Sequence, residues 1–287
     1  MNSIQFFTII NHLTMVFTAI LDTTMTAATV AHNTMRTEPE TEYEKVKCEV
    51  KKAEGKVKAL LAEVKYNEKR EWKLDDVLHR NGKPAVEYYD GDVLRAMEYY
   101  KLGKLHNTEG PARKVLNSDG STLLEEHYFG GSLNRSDGPA VVQKHPNGKT
   151  CEELWYEAGK LYRYKQPARI VYNTKGKPIR QEWYWDNEKH RLDSNGPTVV
   201  HYRKKGGYMN EYHYHGKLHR YDAPAIESYH YMNGYRYEYY QHGKLHRDHG
   251  PAIVDVDEFG QKYEMYYLNG KQYSKLGHLF AKAGLWW

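Results

Sequence analysis

One phrase recurs seven times and dictates what this chain can fold into. Anchored on its proline, it falls at Pro84, Pro111, Pro139, Pro167, Pro197, Pro224 and Pro251, at intervals of 27, 28, 28, 30, 27 and 27 residues. The copies read "VLHRNGKPAV", "KLHNTEGPAR", "SLNRSDGPAV", "KLYRYKQPAR", "KHRLDSNGPTV", "KLHRYDAPAI" and "KLHRDHGPAI". A period in this range marks a repeat architecture, in which each unit buries its faces only by standing next to another.

Each phrase leads into a short run such as "PAVVQK" or "PAIVDV", then a turn such as "NGKT" or "EFGQ", then an acidic-aromatic run such as "EWYW" or "EMYY". β-Branched and aromatic runs bounded by Gly, Asn and Asp, without a 3.6-residue apolar period, read as strands. Proline lacks an N–H and belongs at a strand's first residue or edge. The glycines supply the positive φ that turns need. Each copy is therefore expected to be one β-hairpin. Seven of them predict a mainly β protein: a single-layer, twisted antiparallel hairpin array of roughly 14 strands spaced about 4.8 Å apart.

The expected motif residues are Leu105, His106, Gly110 and Pro111; Arg135, Gly138 and Pro139; His190, Arg191, Gly196 and Pro197; His219, Arg220 and Pro224; and His246, Arg247, Gly250 and Pro251. Their repetition points to structure. Equivalent residues two strands apart stand roughly 10 Å apart, whereas two ligands of one zinc cannot be more than roughly 4 Å apart. The same spacing argues against paired catalytic carboxyls among Glu98, Glu126, Glu153, Glu182, Glu211, Glu238 and Glu264. These acids are expected to pair with Arg80, Arg135, Arg163, Arg191, Arg220 and Arg247. His246 and Arg247 are expected to stitch one hairpin to its neighbour. Nucleotide-binding, nucleophile-elbow and zinc-protease fingerprints are missing from the sequence, so no catalytic residue, metal, cofactor or small-molecule substrate is expected.

The phrase and the Tyr-rich second strand resemble MORN (membrane occupation and recognition nexus) repeats. The "LHR.DGPA" form is similar to repeats of MORN-like proteins in large DNA viruses of amoebae. The resemblance covers about 200 of the 287 residues. It departs from ordinary MORN repeats, which are shorter and lack the Leu-His-Arg and Pro-Ala elements. It implies a non-enzymatic scaffold for protein–protein interaction, acting as a viral structural or host-interaction protein in a virion or inside a cell. Two other readings stay open: a module binding acidic phospholipid or nucleic acid, and an antitoxin-like partner. The 27 Tyr, against 6 Phe and 6 Trp, suit an aromatic surface that packs on one side and meets water on the other. A net charge of +5 with interspersed signs favours acidic partners without demanding them.

The flanks divide the chain into residues 1–36, 37–71, 72–273 and 274–287. Residues 1–36 form an apolar, threonine-rich arm, read either as a targeting or membrane-associating segment or as a partly disordered or partner-packed arm. Residues 37–71 carry a heptad-like seam through Tyr43, Val46, Val50, Ala53, Val57, Leu60 and Val64. That helix is expected either to cap the first hairpins or to self-associate into a homo-oligomer. Residues 274–287 are expected to form a capping helix with Leu276, Leu279, Phe280 and Ala283 facing the last hairpin.

Overall fold

The computed structural model describes residues 66–191, 196–231 and 234–284. The N-terminal arm, the heptad-like seam and Trp286 and Trp287 lie outside the described residues.

Of the described residues, 48% are in strands and 5% in helix. Sixteen strands form one antiparallel sheet, beginning with Glu68–Glu71 and Val86–Asp90 and ending with Lys262–Leu268 and Lys271–Tyr273. Their order in the sheet is their order in the chain. The sheet starts earlier than expected: residues 68–71, assigned above to the helix 37–71, pair with Val86–Tyr89. Arg70 lies 4.3 Å over the Tyr89 ring and Lys69 5.6 Å over Tyr88, so this strand's cations cover aromatic rings of the first long hairpin.

Each copy holds two hairpins where the sequence pattern suggested one. Between successive long hairpins the chain makes a miniature one with two-residue strands, such as Tyr100–Lys101 with Lys104–Leu105, or Tyr240–Gln241 with Lys244–Leu245. Both residues of the connecting turn have positive φ, the requirement of a type I′ turn: Leu102 (49°) with Gly103 (77°), Ala158 (49°) with Gly159 (80°), and His242 (50°) with Gly243 (85°). For Leu102 and Ala158 that conformation costs about 1–2 kcal/mol, so something outside the turn must hold it.

The residue after each proline explains why the copies stack. Ala85, Ala112, Ala140, Ala168, Ala225 and Ala252 are completely buried, and Thr198, in the same place of the fifth copy, is nearly so. Ala85 N–H donates to Glu98 O (2.8 Å), while its carbonyl accepts from Trp72 N–H (2.9 Å). Ala225 does the same with Glu238 O and Tyr212 N–H, both at 2.8 Å. A small residue with both backbone groups committed to opposite neighbours leaves no room for a longer side chain.

The last element is a helix, Lys275–Lys282, capped by Ser274, whose hydroxyl accepts from Gly277 N–H (3.0 Å). Its orientation reverses the expectation. Gly277 and His278 are buried, whereas Leu276, Leu279, Phe280 and Ala283 are exposed. His278 Nε2 bonds Arg247 O at 2.8 Å and its ring lies 5.4 Å from Tyr266. One polar anchor thus sets the helix face, and the apolar row points outward.

Candidate functional site

The phrase is a stitch between copies. His79 Nδ1 accepts from Leu102 N–H (3.2 Å), His106 from Gly130 (3.1 Å), His219 from His242 (3.2 Å) and His246 from Asn269 (3.0 Å). In each case the donor is the first positive-φ residue of the next miniature turn. The glycine beside it donates to the preceding phrase's leucine carbonyl: Gly131 to Leu105 O (2.9 Å), Gly243 to Leu218 O (2.8 Å). These two bonds hold the costly turn conformation. Where the third copy replaces His by Asn134, the amide oxygen accepts from Ala158 N–H at 3.0 Å. The fourth copy has Tyr162, and the next turn compensates by bonding Leu161 N–H with the Asn187 side chain (2.7 Å). His190 differs, stacking on His215 at 4.9 Å with its Nδ1 unpartnered among the described residues.

The arginine of the phrase clamps its own copy. Arg80, Arg135, Arg163, Arg191, Arg220 and Arg247 each donate to the carbonyl of their own proline, at 3.1 to 3.5 Å. The second copy has Asn107 in this place, and it bonds Pro111 O at 3.1 Å. The guanidinium lies over the aromatic ring that directly follows the preceding second strand: Arg163 over Trp155 (4.0 Å), Arg220 over Tyr212 (3.7 Å), Arg247 over Tyr239 (3.7 Å). The phrase glycine makes space for it. Gly110, Gly138 and Gly196 lack positive φ, contrary to expectation, but a Cβ on Gly138 would come within 3.1 Å of the Arg135 guanidinium and one on Gly196 would collide with Arg191.

The recurring acids therefore have other partners than expected. Glu98, Glu126, Glu182, Glu211 and Glu238 share one row across the sheet, with register Glu98↔Arg113↔Glu126 and Arg169↔Glu182↔Val199↔Glu211↔Ile226↔Glu238. Glu153 pairs with Ile170 and Glu264 with Val254, one position off that row, which places them on the opposite face. Two of the row's cations, Arg113 and Arg169, are the residue after Pro-Ala. Arg113 reaches Glu98 (2.6 Å) and Glu126 (2.9 Å), and Arg169 reaches Glu152 (2.5 Å) and Glu182 (3.4 Å). Of the phrase arginines, Arg80 and Arg220 do meet glutamates, but these are Glu87 (3.7 Å) and Glu227 (2.6 Å) on first strands.

This row is densest between the fourth and fifth copies. Glu182 is fully buried beside Arg180, Arg169 and Lys189. Burial alone would raise its pKa, but those three cations outweigh it and hold the carboxyl below its ordinary range. Glu211 is held down similarly: burial pushes it up, while the His201 hydrogen bond and Lys189 win. Burial in turn pushes His213 down to about 4, against the raising pull of Glu211. His213 Nε2 lies 3.6 Å from Glu211 and its Nδ1 2.8 Å from Thr198 Oγ1. This acid, imidazole and hydroxyl resemble a nucleophile relay only in outline. Thr198 is 2% exposed and its hydroxyl donates to Glu211 O (2.9 Å), so no substrate reaches it.

Two surfaces stay open. The long-hairpin tips of copies three to five, "KHPNGKT", "YNTKGKP" and "YRKKGGY", carry seven Lys and Arg and no acid. The tips of copies three and four are tied together: Asn147 Nδ2 donates to Thr174 O (2.8 Å) and Lys149 Nζ to Lys175 O (3.2 Å). The second surface is a row of tyrosines on four adjacent strands, Tyr202↔Tyr208↔Tyr229↔Tyr235. Each is 38 to 45% exposed. This row was not anticipated from sequence, because only the strand register places its members side by side.

The architecture defines a β-hairpin repeat protein whose conserved-looking phrase is spent on holding copies together. Among known proteins, no family model and no curated sequence matches the chain.

Proposed function

We propose that the protein is a non-enzymatic scaffold that binds another protein, with the MORN-like reading and a viral structural or host-interaction role forming part of the same proposal. The observation carrying it is that the recurring His, Arg and Glu are mostly consumed by bonds within the array, while the apolar row of the last helix stands exposed. Apart from His190, the His and Arg of the phrase bond backbone, and the glutamate row bonds Arg, Tyr, His and Lys. Among the described residues, the surface left for a protein partner is the outward apolar ridge of Leu276, Leu279 and Phe280 on the last helix, 43 to 62% exposed. An amphipathic helix presenting such a ridge is a form that protein grooves recognise, and aromatic side chains supply interface hot spots.

The test is affinity capture from the native source with the full chain and with L276S/L279S/F280S, after confirming equal melting temperatures. The proposal expects a specific protein retained by the parent chain and lost with the variant. Identical retained proteins for both chains, or none for either, would contradict it.

A further inference from the structure

We propose that the tyrosine row and the lysine-rich tips beside it form a binding site for single-stranded nucleic acid, independent of the protein-binding role above. Two separate observations meet here. The first is charge. Among the described residues, no carboxylate lies within ion-pair reach of Lys144, Lys149, Lys175, Lys177, Lys204 or Lys205, whereas elsewhere Lys69, Lys73, Lys114, Lys160 and Lys262 each pair with one. The nearby acids on the tyrosine face are already committed, Glu153 to the Tyr172 hydroxyl (2.7 Å) and Glu227 to Arg220. Six lysines without carboxylate partners, on tips of which the third and fourth are tied by Asn147 and Lys149, are suited to a polyanion rather than to solvated surface charge.

The second observation is aromatic. Tyr202 directly precedes the Arg203-Lys204-Lys205 tip, and from it the row crosses to Tyr208, Tyr229 and Tyr235. At one strand spacing each, the four rings extend over about 14 Å. The Tyr208 and Tyr229 rings are 6.2 Å apart and tilted by 37°, so they do not stack on each other, and each residue is 38% exposed. Unstacked bases lie on aromatic ring faces while their phosphates follow a basic edge, which is the arrangement of sequence-tolerant single-strand binding. A duplex hides its bases, and a lipid headgroup layer has no use for a flat row of rings beside its phosphates. The combination selects a single strand.

The test uses the full chain and fluorescein-labelled 20-nucleotide oligouridylate and oligothymidylate, followed by anisotropy between about 50 and 200 mM salt. The parent chain is expected to bind both and to weaken steeply with salt. K175Q/K177Q/K204Q/K205Q should lose at least about ten-fold in affinity and flatten the salt slope by about 0.7 per phosphate contact removed. Y208L/Y229L, and separately Y202L/Y235L in case the first pair unfolds, should lose about ten-fold with the slope unchanged. Absence of binding at the lowest salt would overturn the proposal. So would duplex binding as tight as single-strand binding, affinity unaltered in both folded tyrosine variants, or capture by anionic phosphatidylserine vesicles without capture by either oligonucleotide.

Discussion

The two ends of each long hairpin are built on opposite terms. At the phrase end, His, Arg and the turn amides of one copy are partnered within that copy or the next, as in His246 with Asn269 and Arg247 with Pro251. At the tip end of copies three to five, the lysines have no carboxylate within ion-pair reach among the described residues. A phrase repeated in every copy looks like chemistry when read alone, yet it is the end that varies which keeps unspent charge. In a repeat protein, recurrence marks the joint and variation marks the surface open to a partner.

That contrast is broken most severely from inside. Glu182→Ala strands Arg169, Arg180 and Lys189 in a buried site with one carboxylate fewer, and should cost about 3–5 kcal/mol of stability, read from urea denaturation. Acid should act next most strongly, through the same region. The folded pKa of His213 lies near 4, below the ordinary 6.5, so its neutral form favours the fold. Its stabilisation is complete above pH 6.5 and is lost as pH falls toward 4, on the order of 2–3 kcal/mol. Glu182 and Glu211 are shifted below the ordinary 4.5, so their contribution persists through that window and is lost only at lower pH. Melting temperature measured from pH 7.5 to 4 should fall first in the histidine window, and a His213→Asn chain should lose part of that first decline, since burial also lowers His127, His190, His201 and His219.

Arg247→Ala removes a bond to Pro251 O and the cation over Tyr239 together, an expected loss of about 1–3 kcal/mol. Lysine in its place should recover only part of that, because it lacks the planar fork that lies flat on the ring while donating sideways. At the other end of the scale, K175Q/K177Q should change stability by less than about 0.5 kcal/mol. A larger loss, measured by the same urea titration, would mean that the tips are structural after all.

The spacing of the prolines made the repeat, its mainly β character and the long hairpins legible. The miniature hairpins were not, because two-residue strands such as Lys104–Leu105 carry no periodicity, and Leu102 and Ala158 do not advertise positive φ. The acid row was misassigned at Glu153 and Glu264 for a related reason. A one-residue shift in register exchanges sheet faces: "EELWY" offers adjacent acids Glu152 and Glu153 on opposite faces, and in the last copy Met265, not Glu264, takes the row position. The helix Lys275–Lys282 was placed correctly but turned outward, since an apolar stripe tells which residues share a face and not whether one buried histidine outvotes them. The stitching role of His246 was legible; that Arg247 clamps its own proline required the structure.

The claim that the phrase joins copy to copy is tested most directly at one amide. Hydrogen exchange of Asn269 N–H, which reports the bond to His246 Nδ1, can be compared with that of Gly270 N–H, which bonds Leu245 O at 2.8 Å and does not involve the imidazole. His246→Ala should accelerate exchange at Asn269 well beyond any change at Gly270, and His246→Asn, copying the arrangement of Asn134 with Ala158, should restore most of the protection. Unchanged exchange at Asn269 in the alanine chain would contradict the account.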